Sequence, residues 1–390
     1  ADRSVRQPVV TLVLFLAQQC NLRCVYCYGA GGEYGERGLM SAETALAAVD
    51  WLMENSLDAE QVYISFFGGE PLLNFPLLQQ VVSHARQQAV ARGKQVAFSM
   101  TTNGTLLTGK IIAYLKAEQI EPLISFDGPP QVQNRQRPFR NGRGSYDRVY
   151  AKVQQLRASF PQLTAAATVY GEADPFAIRR GLDAAGFATC DLTPASPVML
   201  HGPPPVQDDS QAARERAAAR MLVYRRDEVA RLFKAVRDRA LATDVSAVVL
   251  ILLAGLVTGR KRHVACGIGR GIASVAVSGD LYPCHRFVGQ VGVRLGHLRD
   301  YRAGPLTDYH HAVVDRLPVC RLCWARYFCG GGCFYDNQAR TGDMHRPDPL
   351  FCRETQTLCE DLIHGWCHLN VADQSYLRER VTALETVGTI

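Results

Sequence analysis

The stretch Cys20-Asn-Leu-Arg-Cys24-Val-Tyr-Cys27 sets three thiols in a C-x₃-C-x₂-C spacing. It directly follows the apolar run Val9–Ala17, whose length, Val and Leu content and polar stop at Gln18 and Gln19 predict a buried strand. A loop leaving a strand end can bring several thiolates together. Three cysteines with no fourth nearby do not complete a tetrahedral zinc site. A [4Fe–4S] cluster, by contrast, can take three protein thiolates and leave its fourth iron open to an outside ligand. From this stretch alone, half of a zinc site or a fortuitous cysteine cluster stays open.

A chain of 390 residues has room for a barrel and an appended module. Its net charge of +6 is not gathered into a long basic run, so nucleic acid is not demanded, and a peptide or an anionic cofactor suits it equally well. No signal peptide is recognisable, and the longest apolar run, Ala247–Val257, is too short to span a bilayer. No membrane partner is therefore expected. The thirteen cysteines fall into two clusters with only Cys190 between them, which favours metal binding in a reducing cytoplasm over a disulfide scaffold.

Beyond the first cluster, Ser41 can cap a helix with apolar positions Leu46, Val49, Leu52 and Met53. Strands are predicted at Gln61–Phe67, Val96–Met100, Pro122–Phe126, Ala165–Tyr170 and Thr189–Thr193. Helices are predicted near Leu77–Arg92, Lys110–Glu118 and Pro175–Ala185. This alternation implies an α/β fold, a parallel sheet with helices outside, closed or nearly closed into a TIM-like barrel of about six βα units. Sites in such barrels lie at the C-terminal strand edge. The charged helical stretch Ser210–Arg262 reads as a bridge, Gly202-Pro-Pro-Pro-Val206 as a turn or linker, and Gln374–Thr386 as a surface helix.

Gly68-Gly69-Glu70-Pro71 stands at the end of the second predicted strand. Two glycines let a backbone approach a ligand, and strand-end carbonyls with a carboxylate suit an ammonium group. Alone, the tetrapeptide is equally an ordinary turn. Taken with the cysteine spacing and with Tyr26 just before Cys27, it resembles the radical S-adenosylmethionine (SAM) family. The resemblance implies a partial (β/α)6 barrel in which Cys20, Cys24 and Cys27 hold a [4Fe–4S] cluster. Its open iron would chelate the SAM amino and carboxylate groups, and one electron would cleave SAM to a 5′-deoxyadenosyl radical. It also implies Gly68, Gly69 and Glu70 at the SAM amino group, Tyr26 against the adenine, and Ser125 at the carboxylate or ribose, with Asn103 in a similar role. A carboxylate also favours a guanidinium fork. Among Arg135, Arg137, Arg140 and Arg143 the expectation falls on Arg143, in Asn-Gly-Arg-Gly-Ser, although surface arginines are mostly solvated.

The C-terminal third contains Cys266, then Gly279 and Cys284, then Cys320-x₂-Cys323-x₅-Cys329-x₃-Cys333, and finally Cys352. This pattern resembles the SPASM domain, the extension of peptide-modifying radical SAM enzymes that carries auxiliary clusters. By that resemblance, Cys320, Cys323, Cys329 and Cys352 would ligate an outer cluster, and Cys266, Cys284 and Cys333 an inner one. The segment Ile272–Pro283 reads as a hairpin that returns Cys284 beside Cys266. A zinc ribbon remains the alternative for the C-x₂-C group. Some members have a second cysteine near the first; only Cys266 stands here, so the inner cluster is expected to keep an open iron. His263 is weighed as its fourth ligand against a solvated role. Cys359 and Cys367 are expected on nearly one face of a helix as buried small hydrophobes.

An open iron could take a peptide cysteine as thiolate and orient it toward a carbon radical, giving a thioether. His285 follows Cys284 where sulfatase-maturing relatives have an aspartate, and it is the candidate base; Tyr-Pro-Cys-His resembles more the thioether-forming maturases. The resulting expectation is a radical SAM peptide maturase forming intramolecular thioether cross-links in a ribosomally made peptide or small protein subunit. Its cofactors would be SAM and three [4Fe–4S] clusters, and its electron donor a flavodoxin or ferredoxin. Carbon–carbon or carbon–oxygen cross-linking, formylglycine formation, a non-catalytic iron–sulfur electron carrier and a structural zinc protein stay open. No leader-binding segment is recognisable, so such an element is expected outside this sequence or on another protein. The expected division is a barrel at 1–205, a helical bridge at 206–262, a SPASM module at 263–370 and a terminal helix at 371–390.

Overall fold

The computed structural model describes residues 8–200, 210–240, 245–300, 309 and 312–386; the proline-rich break at 202–206 lies outside them. Six strands run parallel in the order β1 (Thr11–Gln18), β3 (Gln61–Gly68), β4 (Gln95–Thr102), β5 (Ile120–Ser125), β6 (Thr164–Val169) and β7 (Thr189–Pro194). A two-residue strand, β2 (Gly38–Leu39), pairs antiparallel with the end of β1. Between the strands lie α1 (Ala42–Asn55), α2 (Phe75–Ala91), α3 (Gly109–Ala117), α4 (Pro130–Gln136), α5 (Tyr146–Arg157) and α6 (Pro175–Ala185). Ser41 caps α1 by accepting from the Thr44 amide at 3.1 Å, and Asp174 caps α6 through two amides, as short oxygen side chains do at helix starts. This is the six-unit α/β arrangement expected, with two additional helices between β5 and β6, α4 of 7 residues and the polar α5 of 12.

The pleat sorts the strand residues. Leu12, Leu14, Leu16, Ile64, Phe66, Phe98 and Ile124 join the main core with Val49, Leu52, Leu78 and Val81 of the helices. The alternate positions, among them Ser65, Ser99, Thr101, Ser125 and Thr168, line an interior cavity. Barrel interiors are ordinarily filled by branched apolar side chains; small hydroxyl residues here leave space instead.

Two further elements complete the sheet. The hairpin of β8 (Ile272–Val275) and β9 (Asp280–Tyr282) forms where expected, and β10 (Gly296–His297) pairs with β9. Unexpectedly, β8 lies parallel to β1, Thr11 opposite Ile272, so the C-terminal cysteine region grows out of the barrel sheet. The bridge forms α7 (Gln211–Arg237) and α8 (Ala247–Thr258), which build a second core with the helices Pro349–Cys367 and Val371–Thr386. Cys359 is buried in that core, whereas Cys367, the last residue of its helix, is exposed, so only the first is a buried hydrophobe. Among the described residues no helix is long and apolar enough to cross a membrane.

Candidate functional site

A cavity of about 910 Å³ opens at the strand ends and is lined by Cys20, Cys24 and Cys27 together with Cys266, Cys284 and His285. The loop carrying the first three cysteines is laced down on every side. The Gly69 and Glu70 amides donate to the Ala17 and Gln19 carbonyls at 2.8 and 3.0 Å. The Arg23 and Val25 amides donate to the Pro138 and Gln136 carbonyls at 2.8 and 2.9 Å, and Arg140 Nε donates to the Cys20 carbonyl at 2.7 Å. Gln18, only 1% exposed, bonds the loop carbonyls of Glu33 and Glu36 while its Oε1 accepts from the Val277 amide at 2.8 Å. It thereby ties the cysteine loop to the hairpin, a role hidden in the sequence behind an unremarkable strand-end Gln.

Burial pushes the Cys20 thiol up to about 11, assisted by Glu70 and Cys27, and the Cys24 thiol up to about 12, with Cys27 and Cys20 adding to it. Burial and mutual repulsion oppose ionisation of these thiols, so the set suits a cationic iron core that would supply the compensating charge. Among the described residues no group of three or more His, Cys, Asp or Glu could hold a single metal ion. Three chain thiols fit a [4Fe–4S] cluster, in which each of three irons takes one protein thiolate beside its bridging sulfides.

The C-terminal cysteines fall into two groups. Cys320, Cys323, Cys329 and Cys352 line a separate cavity of about 220 Å³, where Cys320, pushed up to about 12 by burial, also feels Cys329, Cys352 and Cys323. Cys284, pushed up to about 12 by burial, feels Cys333 and Cys266. Gly330, Gly331 and Gly332, all at positive φ, turn the chain between Cys329 of one group and Cys333 of the other. His263 pairs with exposed Asp315 at 3.0 Å and does not join the inner three.

Several expected contacts land differently. Glu70 is fully buried, and its carboxylate accepts from the Leu72 amide at 3.1 Å, Thr102 Oγ1 at 2.7 Å and the Asn103 amide at 2.8 Å. Its oxygens are spent on joining the ends of β3 and β4, so Gly68 and Gly69, which line the cavity, present only backbone to an ammonium group. Asn103 lines the cavity with its Nδ2 3.6 Å from Cys20 Sγ. Ser125 faces the cavity from the end of β5. Tyr26 points its hydroxyl down to Asp127 at 2.8 Å, and Arg137 Nη1 donates to the same hydroxyl at 2.5 Å.

Arg143 is exposed. Its turn closes through the Gly142 amide to the Phe139 carbonyl and the Phe139 amide to the Arg143 carbonyl, which throws the side chain outward. Arg137, rather than Arg143, lines the cavity: it is 8% exposed, with Nε unpartnered. Arg137 also stands 4.0 Å from the fully buried carboxylate of Asp127. Removing one partner of a buried charge pair costs about 3–5 kcal/mol, so Arg137→Gln should lower stability by about 3 kcal/mol in anaerobic urea unfolding. A loss under about 1 kcal/mol would show the pair to be solvated.

His285 packs against Phe67, ring centroids 5.0 Å apart, with Nδ1 3.7 Å from Cys284 Sγ. Burial and the Arg286 charge push its imidazole down to about 3. Arg286 itself donates to Ser196 Oγ at 2.6 Å and Asp336 Oδ2 at 3.1 Å and reaches Cys333 Sγ at 3.9 Å. Neither Arg286 nor Asp191, both on the cavity wall, was picked out from sequence, since each reads as an isolated charge.

Residues 14–174 match the model of the radical SAM superfamily. The chain carries a radical SAM domain. A protein of Methanocaldococcus jannaschii is 35% identical over 134 residues, which is 34% of this chain and 44% of that protein. The serine-type anaerobic sulfatase-maturating enzyme of Bacteroides thetaiotaomicron is 29% identical over 167 residues, 42% of this chain and 40% of that enzyme. The chain thus spans less than half the length of these curated relatives. Among solved structures, anSMEcpe with bound AdoMet and Cp18Cys peptide superposes with a TM-score of 0.74 at 17% identity, covering 92% of this chain and 99% of that one. This likeness in fold extends through the C-terminal cysteine region.

Proposed function

We propose that the protein is a radical SAM peptide maturase that joins a substrate cysteine to a carbon of the same peptide. The observation that carries this reading is that one cavity is lined both by the Cys20, Cys24 and Cys27 set and by Cys266 and Cys284 of the inner set. When bound, SAM and the clusters would supply hydrogen-atom abstraction from a substrate carbon, a vacant iron position for a thiolate and an outlet for the remaining electron. Cys20, Cys24 and Cys27 would hold the first cluster, Cys266, Cys284 and Cys333 the inner auxiliary one, and Cys320, Cys323, Cys329 and Cys352 the outer. Gly68 and Gly69 would meet the SAM amino group through backbone, Arg137 and Ser125 its carboxylate or ribose, and Asn103 would brace Cys20. An auxiliary group with three chain thiols accommodates one outside sulfur, which favours a cysteine peptide. The peptide named with anSMEcpe supports that substrate class. Flavodoxin or ferredoxin remains the proposed electron donor, and the division at 206, 263 and 371 the proposed domain plan.

The sulfatase-maturating relative favours a second reading, oxidation of a serine or cysteine to formylglycine. Co-expression with peptides encoded beside the gene, followed by mass spectrometry, separates the two. A thioether removes two hydrogens, blocks thiol alkylation and leaves no aldehyde. Formylglycine reacts with a hydrazide probe, and its appearance in place of a blocked thiol would reject the first reading.

A further inference from the structure

Asp191 enters the cavity from β7, and among the described residues lining that space it is the one carboxylate. Strand register sets it level with Ala166 and Ser125, in the layer where the cofactor is proposed to lie. The nearby acids are committed elsewhere. Glu70 and Asp127 are fully buried and each accepts three internal hydrogen bonds, and Asp336 is held by Arg286. Asp191 accepts no hydrogen bond from the described residues; the charges it feels are those of Arg225, from α7, and Arg286. The Arg286 guanidinium also acts on Cys284 and Cys333, so Asp191 and the inner thiol group share one cationic neighbour. His285, the other basic candidate, has Nδ1 turned to Cys284 and its ring wedged on Phe67 and Tyr28. Burial pushes the Asp191 carboxyl up from the usual 3.8, which makes it a stronger proton acceptor than a solvated acid.

We propose that Asp191 is the proton acceptor for the substrate cysteine: the substrate S–H bond breaks, a carboxyl O–H bond forms, and the thiolate remains beside Cys266 and Cys284. The step changes no oxidation state and needs no co-reactant. It rests on the cross-linking reading above. Arg286 favours the thiolate by charge, and the carboxyl returns its proton to water when the product leaves.

The test compares wild type, Asp191→Asn and Asp191→Glu, each reconstituted to equal iron content, on the peptide modified in co-expression. In Asp191→Asn, cross-linked peptide per 5′-deoxyadenosine formed should fall about a hundredfold or more, the usual worth of a positioned base. Asp191→Glu should recover part of that ratio. Independently of turnover, infrared difference spectra without SAM on adding the tripeptide Gly-Cys-Gly should gain a protonated-carboxyl band in wild type that is absent in Asp191→Asn. The proposal is overturned if Asp191→Asn cross-links at the wild-type ratio, if it raises only KM, as a mere cation-binding carboxylate would, or if wild type gains no such band. Failure of the variant to load iron leaves Asp191→Glu and the wild-type spectra to decide. A wild type that forms deoxyadenosine but cross-links no cysteine peptide rejects the function reading, and this proposal with it.

Discussion

Joint replacement of Cys20, Cys24 and Cys27 by alanine is expected to remove about four irons per chain and to abolish 5′-deoxyadenosine formation with SAM and dithionite. The three side chains share one wall of the cavity, and burial holds the Cys20 and Cys24 thiols far above ordinary thiol acidity. A buried thiolate set persists only with a compensating cation, so the loss should be cooperative and any single replacement should approach the triple variant. The outer group, with its own cavity around Cys320 and Cys352, should keep its iron in the same variant. Iron and sulfide analysis with product chromatography checks both halves. Retention of a full iron load together with SAM cleavage would remove the basis for every functional statement made of this site.

Gly69→Ala is expected to produce the second largest effect, without touching a ligand. A Cβ at Gly69 would sit 2.2 Å from the Gln19 carbonyl oxygen and 2.8 Å from that of Gly32. Both obstacles are backbone of the cysteine loop, so neither can rotate away. Gly68 is equally constrained, with φ of 122° and a Cβ position 2.2 Å from the Ala17 oxygen. Overpacking of this kind costs about 1–3 kcal/mol, and shifting the loop by about 1 Å should cost on the order of a hundredfold in SAM cleavage. Gly109→Ala, where no atom lies within 4 Å of the added carbon, is the matched control and should be silent. Equal SAM cleavage by Gly69→Ala and the control would show that loop position does not matter.

The two glycines also explain why Glu70 can be sequestered. With the Gly69 and Glu70 amides fastened to β1, the chain turns inward and delivers the Glu70 carboxylate to the Asn103 amide. The acid thus organises two strand ends, and its burial, which pushes the carboxyl upward, is opposed by the three hydrogen bonds it accepts. A sequence motif that suggests a ligand-binding acid is in this case a joint between strands.

Sequence by itself determined the elements whose cause is local. Cysteine spacing keeps Cys20, Cys24 and Cys27 on one short loop, because the chain covalently limits their reach. Strand and helix alternation fixes a six-unit parallel α/β barrel, and Ser41 and the double glycine mark where elements begin and end. Only the tertiary structure decided where side chains of equal chemistry point. Four arginines lie between 135 and 143, and their order along the chain does not reveal that Phe139–Arg143 closes a turn which exposes Arg143 while Arg137 is carried beneath the cysteine loop. The same holds for Asp191, whose inward aim depends on the pleat of β7 and its register with β6, and for β8, whose partner β1 lies more than 250 residues earlier. Local reach and propensity are written in neighbouring residues. Direction and burial arise from packing between distant ones, and a strand shifted by one position would turn its entire cavity face toward the helices.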